Sequence, residues 1–83
     1  MKMLIVILDD DNVESLLRSL TAESLRVTRI ASTGGFFRKG SSTLLMGLED
    51  DKVDTALKIL RERIVPDHHA TLFVVPVTRY EQI

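Results

Sequence analysis

One arrangement of residues occurs twice in this 83-residue sequence, 40 positions apart. Residues 8–13 read Leu-Asp-Asp-Asp-Asn-Val, and residues 48–53 read Leu-Glu-Asp-Asp-Lys-Val. In both copies an apolar run leads into an acidic segment, and apolar residues with helical spacing follow. Each copy therefore predicts a strand, a turn and a helix, in a chain too short for two separate cores. We expect residues 1–83 to form one domain with two equivalent halves.

The apolar periodicity predicts the element order βαββαβ. The repeated acidic segments offer helix caps and favourable charge at the N-termini of two amphipathic helices. The predicted strands are 3–8, 25–33, 42–48 and 70–77, and the apolar helix faces are Val13, Leu16, Leu17, Leu20 and Val53, Ala56, Leu57, Leu60, Ile64. This order is typical of the ferredoxin-like α+β sandwich, in which two helices cover one face of a four-stranded antiparallel sheet.

This architecture leaves one face of the sheet without a covering layer. A strand with one wet face should alternate apolar and polar residues. Residues 3–8 and 72–77 do not alternate, so both faces of these strands are predicted to be apolar. The chain offers no further element to cover the second face. The sequence therefore predicts an oligomer, for which cyclic symmetry is the default.

Composition and charge exclude several classes of protein. There is no cysteine, which excludes disulfides and thiolate metal sites, and no apolar run reaches the roughly 18–20 residues that cross a bilayer. The opening apolar run continues into Asp9 without a small-residue cleavage site, so we interpret it as a strand rather than a signal peptide. A net charge of −1 argues against general DNA or RNA binding. These features predict a cytoplasmic protein that does not bind membranes.

The charges are distributed unevenly along the chain. No acidic residue lies between Glu23 and Glu49, and this segment carries +4 while the rest of the chain carries −5. We expect an anionic partner to bind there, although chance clustering within a strand pair would give the same pattern. Arg26 and Thr28 would share one face of the predicted strand, where a guanidinium and a hydroxyl suit a phosphate or a purine edge. A solvated strand face is the alternative interpretation.

A glycine-rich loop connects the second and third predicted strands. Residues 35–42 nearly fit the pattern GxxxxGK[ST], but Ser41 stands where lysine is required and a strand follows, so we reject a P-loop. Backbone amides beside Arg38 and Lys39 remain suited to a phosphate, and an ordinary hairpin loop is the alternative. Because Phe36 and Phe37 are adjacent, at least one ring is expected to be exposed, either to stack on a base or to pack on another subunit.

Little in the sequence indicates catalysis or a metal centre. His68 and His69 have no further histidine or cysteine to complete a zinc site, and the aspartate clusters are explained as helix starts. No pairing of a nucleophile with a base is evident. The sequence therefore predicts a binding protein rather than an enzyme, with no metal and no cofactor.

The stretch ASTGGFFRKGSSTL at residues 31–44 resembles the PII-like cyclic di-AMP receptors, small trimeric signalling proteins with a ferredoxin-like protomer. The similarity runs from the opening strand to the segment ATLFVVPV at residues 70–77, which is nearly the whole chain. The resemblance implies a homotrimer that binds cyclic di-AMP in clefts between subunits. It also implies a downstream protein partner, which the sequence does not identify.

The same resemblance implies roles for individual residues. Arg26 and Thr28 would contact the phosphate–ribose ring and an adenine, and the main chain of Gly47 would contact a base. Phe73 would close the cleft from the last strand, and Gln82 would contribute from the tail. The loop residues that would wall the cleft are Gly35, Phe36 and Phe37.

Two departures from the family pattern affect the predicted function. Ser41 stands where the family usually has an asparagine that hydrogen-bonds adenine, and serine offers only a hydroxyl. Only residues 65–69 precede the last strand, where the family usually has a long loop, so the chain is predicted to be a short-loop variant. The alternatives are a PII-like sensor of another adenine nucleotide such as ATP, and a small ferredoxin-like enzyme or assembly module.

Overall fold

A computed structural model describes residues 1–33, 40–64 and 70–83 of the chain. Within these ranges the elements follow the order βαββαβ. They are β1 (Lys2–Asp9), α1 (Asp10–Ala22), β2 (Thr28–Thr33), β3 (Ser41–Leu48), α2 (Asp50–Arg63) and β4 (Thr71–Pro76). The strands pair antiparallel in the order β2-β3-β1-β4. This topology confirms the predicted ferredoxin-like α+β fold.

The two helices begin at equivalent positions of the sequence repeat. Asp9 and Glu49 are the N-cap residues, and both have extended backbone angles. Neither side chain makes a capping hydrogen bond, so the predicted capping is correct in position but not in this contact. The first turns carry Asp10, Asp11, Asp50 and Asp51. Their contribution is the favourable placement of negative charge at the positive end of each helix dipole.

The core lies between the two helices and the central strands β1 and β3. Alternate residues of these strands point toward the helices, as the two-residue period of a strand requires. The buried apolar residues are Leu4, Val6, Leu8, Val13, Leu16, Leu20, Leu25, Leu44, Met46, Leu48, Ala56 and Leu60. The other predicted helix-face residues, Leu17, Val53, Leu57 and Ile64, pack partly buried at the margin of this core.

The opposite face of the sheet is rich in apolar residues and is left uncovered by the described parts of the chain. This open face comprises Met3, Ile5, Ile7, Thr28, Ile30, Ser41, Thr43, Leu45, Gly47, Thr71, Phe73 and Val75. Ile7 is 38% exposed and Phe73 is 51% exposed. On the helix side of β4, Leu72 and Val74 are exposed as well. The open apolar face was predicted from the non-alternating strands, and its burial by other subunits stays a prediction.

Candidate ligand-binding site

Thr28 is the first residue of β2, on the edge of the sheet, and Arg26 precedes it by two residues. Thr28 pairs with Leu45, which places it on the open face. The strand begins at Thr28 rather than at Leu25, so the prediction that Arg26 belongs to the strand is wrong. The turn that ends α1 is the physical reason. Ser24 adopts a left-handed φ of 62°, and the amide of Leu25 still donates to the carbonyl of Leu20 (3.1 Å).

Arg26 nevertheless lies beside another predicted site residue. It lines a surface depression of about 270 Å³ together with Gly47, Glu49 and Lys52. Within the described ranges Arg26 makes no hydrogen bond or ion pair, and it is exposed. A free guanidinium beside exposed backbone is suited to an anionic ligand, because its donors form a planar fork that matches phosphate oxygens.

Gly47 connects this depression to a second one. It pairs with Met3 and is exposed, and a Cβ atom built on it would meet nothing within 4 Å. The second depression, about 510 Å³, is lined by Met1, Met3, Gly47, Pro76, Val77, Thr78, Arg79 and Tyr80. Met3, Arg79 and Tyr80 were not among the site residues predicted from the sequence. The one sequence feature that could have drawn attention to the tail is Tyr80, the single tyrosine of the chain. No local pattern marks Met3, because its proximity to Gly47 comes from the pairing of β1 with β3.

An acidic group near these depressions is partly neutralised by the amino terminus. The ammonium of Met1 lies 3.1 Å from Oδ1 of Asp50, the first residue of α2. This hydrogen bond and the charge of the ammonium lower the pKa of Asp50, with a smaller contribution from Lys2. Asp50 therefore stays ionised at neutral pH, and the ammonium beside it offsets its repulsion of an incoming anion.

Two other predicted site residues lie far from Arg26 within one chain. Ser41 pairs with Asp9 at the opposite end of β3 from Gly47, about 20 Å away at roughly 3.4 Å per residue. Phe73 lies on β4 and Thr28 on β2, at opposite edges of the sheet. Three strand spacings of about 4.8 Å separate them by roughly 14 Å. One chain therefore does not bring the predicted residues to a single point.

The model of a protein family described as "Cyclic-di-AMP receptor" matches residues 1–66 of this chain. The chain belongs to the cyclic-di-AMP receptor family. Its structure is also similar to the crystal structure of a functionally unknown protein from Pediococcus pentosaceus ATCC 25745. The TM-score is 0.82 and the sequence identity 26%, over 99% of this chain and 96% of that chain. This second likeness supports the fold, and the family supports binding of cyclic di-AMP.

The family match covers only part of the predicted site. It includes the β2–β3 region and ends before β4, so Phe73 and Gln82 lie beyond it. Gln82 is exposed in the tail that follows β4. Gly35, Phe36 and Phe37 lie outside the described residues, as do His68, His69 and the short loop at 65–69.

Arg29 faces the other side of the receptor's sheet. Its Nε donates to Oγ of Ser42 (3.1 Å), and its terminal nitrogens pair with Asp10 (3.3 Å) and Glu14 (3.4 Å). The prediction that an anionic partner binds in the acid-free segment stays a prediction, but the structure distinguishes the two described arginines of that segment. The charge of Arg29 is satisfied by α1, whereas Arg26 is unpaired in the described part of the chain.

The described residues show neither a metal-ligand cluster nor a membrane span. In the ranges that the structure covers, no three histidine, cysteine or carboxylate side chains converge to hold a metal ion. Likewise, neither described helix is long and apolar enough to traverse a bilayer.

Proposed function

We propose that this receptor is a homotrimer that binds cyclic di-AMP in clefts between subunits and passes the signal to another protein without catalysing a reaction. The observation that carries the proposal is that the predicted ligand contacts lie on opposite edges of the open face, too far apart to meet within one chain. Thr28 and Phe73 lie at opposite edges of one sheet, about 14 Å apart. A ligand at a subunit boundary could contact the β2 side of one protomer and the β4 side of the next.

The chemistry of the described contacts suits this ligand. Arg26 supplies an unpaired cation for a phosphate, and Thr28, two residues further along the chain, supplies a hydroxyl on the open face. Gly47 is exposed with open space around its α-carbon, so a base can approach its main chain, and Phe73 offers a ring half in solvent. The remaining proposed contacts are Gly35, Phe36, Phe37, Ser41 and Gln82. No metal and no cofactor take part in this proposal.

The proposed cellular location and binding partners also follow from the sequence. Its lack of cysteine is compatible with a reducing compartment, so we propose a cytoplasmic location. Its partners are cyclic di-AMP, two further copies of the chain and a downstream protein. Nucleic acids and membranes are not among them.

Titration of the purified protein tests the ligand and the assembly together. Isothermal calorimetry should find one cyclic di-AMP per subunit, with weaker binding of ATP, cyclic AMP and cyclic di-GMP. Light scattering at micromolar concentration should give the mass of a trimer. Tight ATP binding with weak cyclic di-AMP binding would instead identify a sensor of another adenine nucleotide. A stable monomer without affinity for any of these nucleotides would contradict the proposal.

Ser41→Asn is expected to strengthen cyclic di-AMP binding about 2–10-fold. An amide adds a donor and an acceptor at the purine edge, and each neutral hydrogen bond contributes about 0.5–1.5 kcal/mol net. Cyclic di-GMP should gain nothing, because guanine reverses the donor and acceptor at that edge. Calorimetry of both ligands measures the difference.

Ser15→Asn is the matched control for this prediction, since it makes the same change at an exposed position of α1, away from the open face. It should leave the affinity for cyclic di-AMP unchanged. If Ser41→Asn lowers cyclic di-AMP affinity and the unmodified protein binds ATP tightly, the ATP-sensor function replaces the proposed one.

A further inference from the structure

A cluster of polar side chains lies on the helix face of the sheet, behind Ser41. Arg29 of β2 donates from Nε to Oγ of Ser42 at 3.1 Å, and the Ser42 hydroxyl donates to Asp10. Arg29 also pairs with Asp10 at 3.3 Å and with Glu14 at 3.4 Å. Ser42 is fully buried, so its hydroxyl depends on these partners. We call Arg29, Ser42 and Asp10 the Arg29 cluster, with Glu14 as an exposed partner outside it.

The cluster adds side-chain contacts to the first residues of β3, which also pair with β1. The backbone amide of Asp10 donates to the carbonyl of Gly40 at 3.0 Å, next to the side-chain contact between Asp10 and Ser42. In this region the pairing of β2 with β3 is irregular, with a register shift between Ile30 and Thr33. Where the backbone ladder is interrupted, Arg29 supplies a side-chain bond between the same two strands.

Ser41 lies between two residues that are held in this way. Successive strand residues point to opposite faces, so Ser42 is anchored beneath the sheet while Ser41 is directed to the open face. A constraint on the backbone of residues 40–42 is therefore a constraint on where the Ser41 hydroxyl can be. Preorganised contacts bind more tightly because less freedom is lost when the ligand arrives.

We infer that Arg29 is a positioning residue for the ligand site: by bonding Ser42 and Asp10, it holds residues 40–42 in the binding-competent conformation without touching the ligand. The inference rests on the proposed function, in which Ser41 contacts cyclic di-AMP. Losing the guanidinium lowers the fraction of molecules with a competent site. The apparent dissociation constant then rises in proportion to the inverse of that fraction.

This role has a kinetic signature that separates it from direct contact. A smaller competent population slows association, while dissociation from the assembled complex stays nearly unchanged. Loss of a residue that touches the ligand instead acts mostly on dissociation. Loss of long-range electrostatic steering also slows association, but that effect disappears at high salt.

The test is the variant Arg29→Met, which keeps much of the side-chain length and removes all donors. Cyclic di-AMP binding should weaken about 3–10-fold because association becomes slower. The association rate should be reduced by the same factor at low salt, about 50 mM, and at high salt, about 500 mM. In the protein without ligand, hydrogen exchange at the amides of residues 40–42 should be faster than in the unmodified protein. Both measurements use the full chain.

Two control variants isolate the cluster from general charge effects. Arg18→Met removes an exposed arginine from α1 and should leave the affinity unchanged. Glu14→Gln removes the most exposed partner of Arg29 but keeps the bonds to Ser42 and Asp10, so it should also leave the affinity unchanged. If Arg29→Met does not fold, Arg29→Lys keeps the charge but loses the Nε–Ser42 bond, and it should show the same slower association and faster exchange.

The possible results distinguish the inference from the function on which it rests. If the unmodified protein does not bind cyclic di-AMP, the proposed function fails. If that protein binds and the folded Arg29 variant has unchanged affinity, only the positioning role is overturned. A slower association that vanishes at high salt, or a change confined to dissociation, would overturn it as well.

Discussion

Arg26→Ala is expected to weaken cyclic di-AMP binding roughly 10–150-fold. Hydrogen bonds to a charged group contribute about 1.5–3 kcal/mol, and 1.4 kcal/mol corresponds to a factor of ten in affinity. Arg26 is exposed and unpaired within the described ranges, so its removal leaves no buried partner behind. The fold and the assembly should therefore survive. Calorimetric titration measures the loss, and light scattering checks the mass of the variant.

The depression that contains Arg26 provides a matched control. Lys52 lines the same depression from α2, so Lys52→Ala removes an equal charge close by. If Arg26 acts by direct contact with a phosphate, the lysine variant should lose much less affinity, and its loss should shrink at high salt. If both variants lose the same amount of affinity, the ligand is attracted only by the local positive charge and does not contact Arg26 directly. Unchanged affinity in a folded Arg26→Ala protein would show that the phosphate binds elsewhere.

Ile7→Glu is expected to convert the assembled protein into a monomer at micromolar concentration. Ile7 lies on the open face of the central strand β1, between Thr43 and Thr71 of its neighbours. It is 38% exposed in the single chain, so a glutamate there can remain hydrated in a monomer. Inside an assembly the same carboxylate would lose its water without a partner, at a cost of several kcal/mol. Light scattering and sedimentation measure the mass.

This variant also tests where the ligand binds. If the clefts form between subunits, the monomeric Ile7→Glu protein should lose most of its affinity for cyclic di-AMP although every proposed contact residue is intact. Ser15→Glu adds the same charge to an exposed position of α1, on the helix side and away from the Arg26 depression, and should leave both mass and affinity unchanged. A folded Ile7→Glu protein that remains a trimer would exclude the open face as the subunit interface.

The order of elements and the composition of the two sheet faces could be predicted from the sequence. The acidic turns at residues 9–11 and 49–51 mark both helix starts, because charge at a helix N-terminus and apolar spacing along a helix are local properties. The uninterrupted apolar run of β1 likewise indicated that its second face is apolar. Each of these inferences uses only residues that are close together in the sequence.

The arrangement of the site could not be read in this way. Arg26 and Arg29 are three residues apart in the same basic segment, yet Arg26 lines the depression at Gly47 and Arg29 bonds Asp10 and Ser42 on the helix face. The proximity of Met3 to Gly47 depends in the same way on the register of β1 with β3. Residue type and spacing determined the helices, the core and the apolar open face. The tertiary structure alone decided that Arg29 is paired while Arg26 is not, and which residues share a depression. These properties depend on strand register and on contacts between residues 13 or more positions apart, which no local pattern encodes.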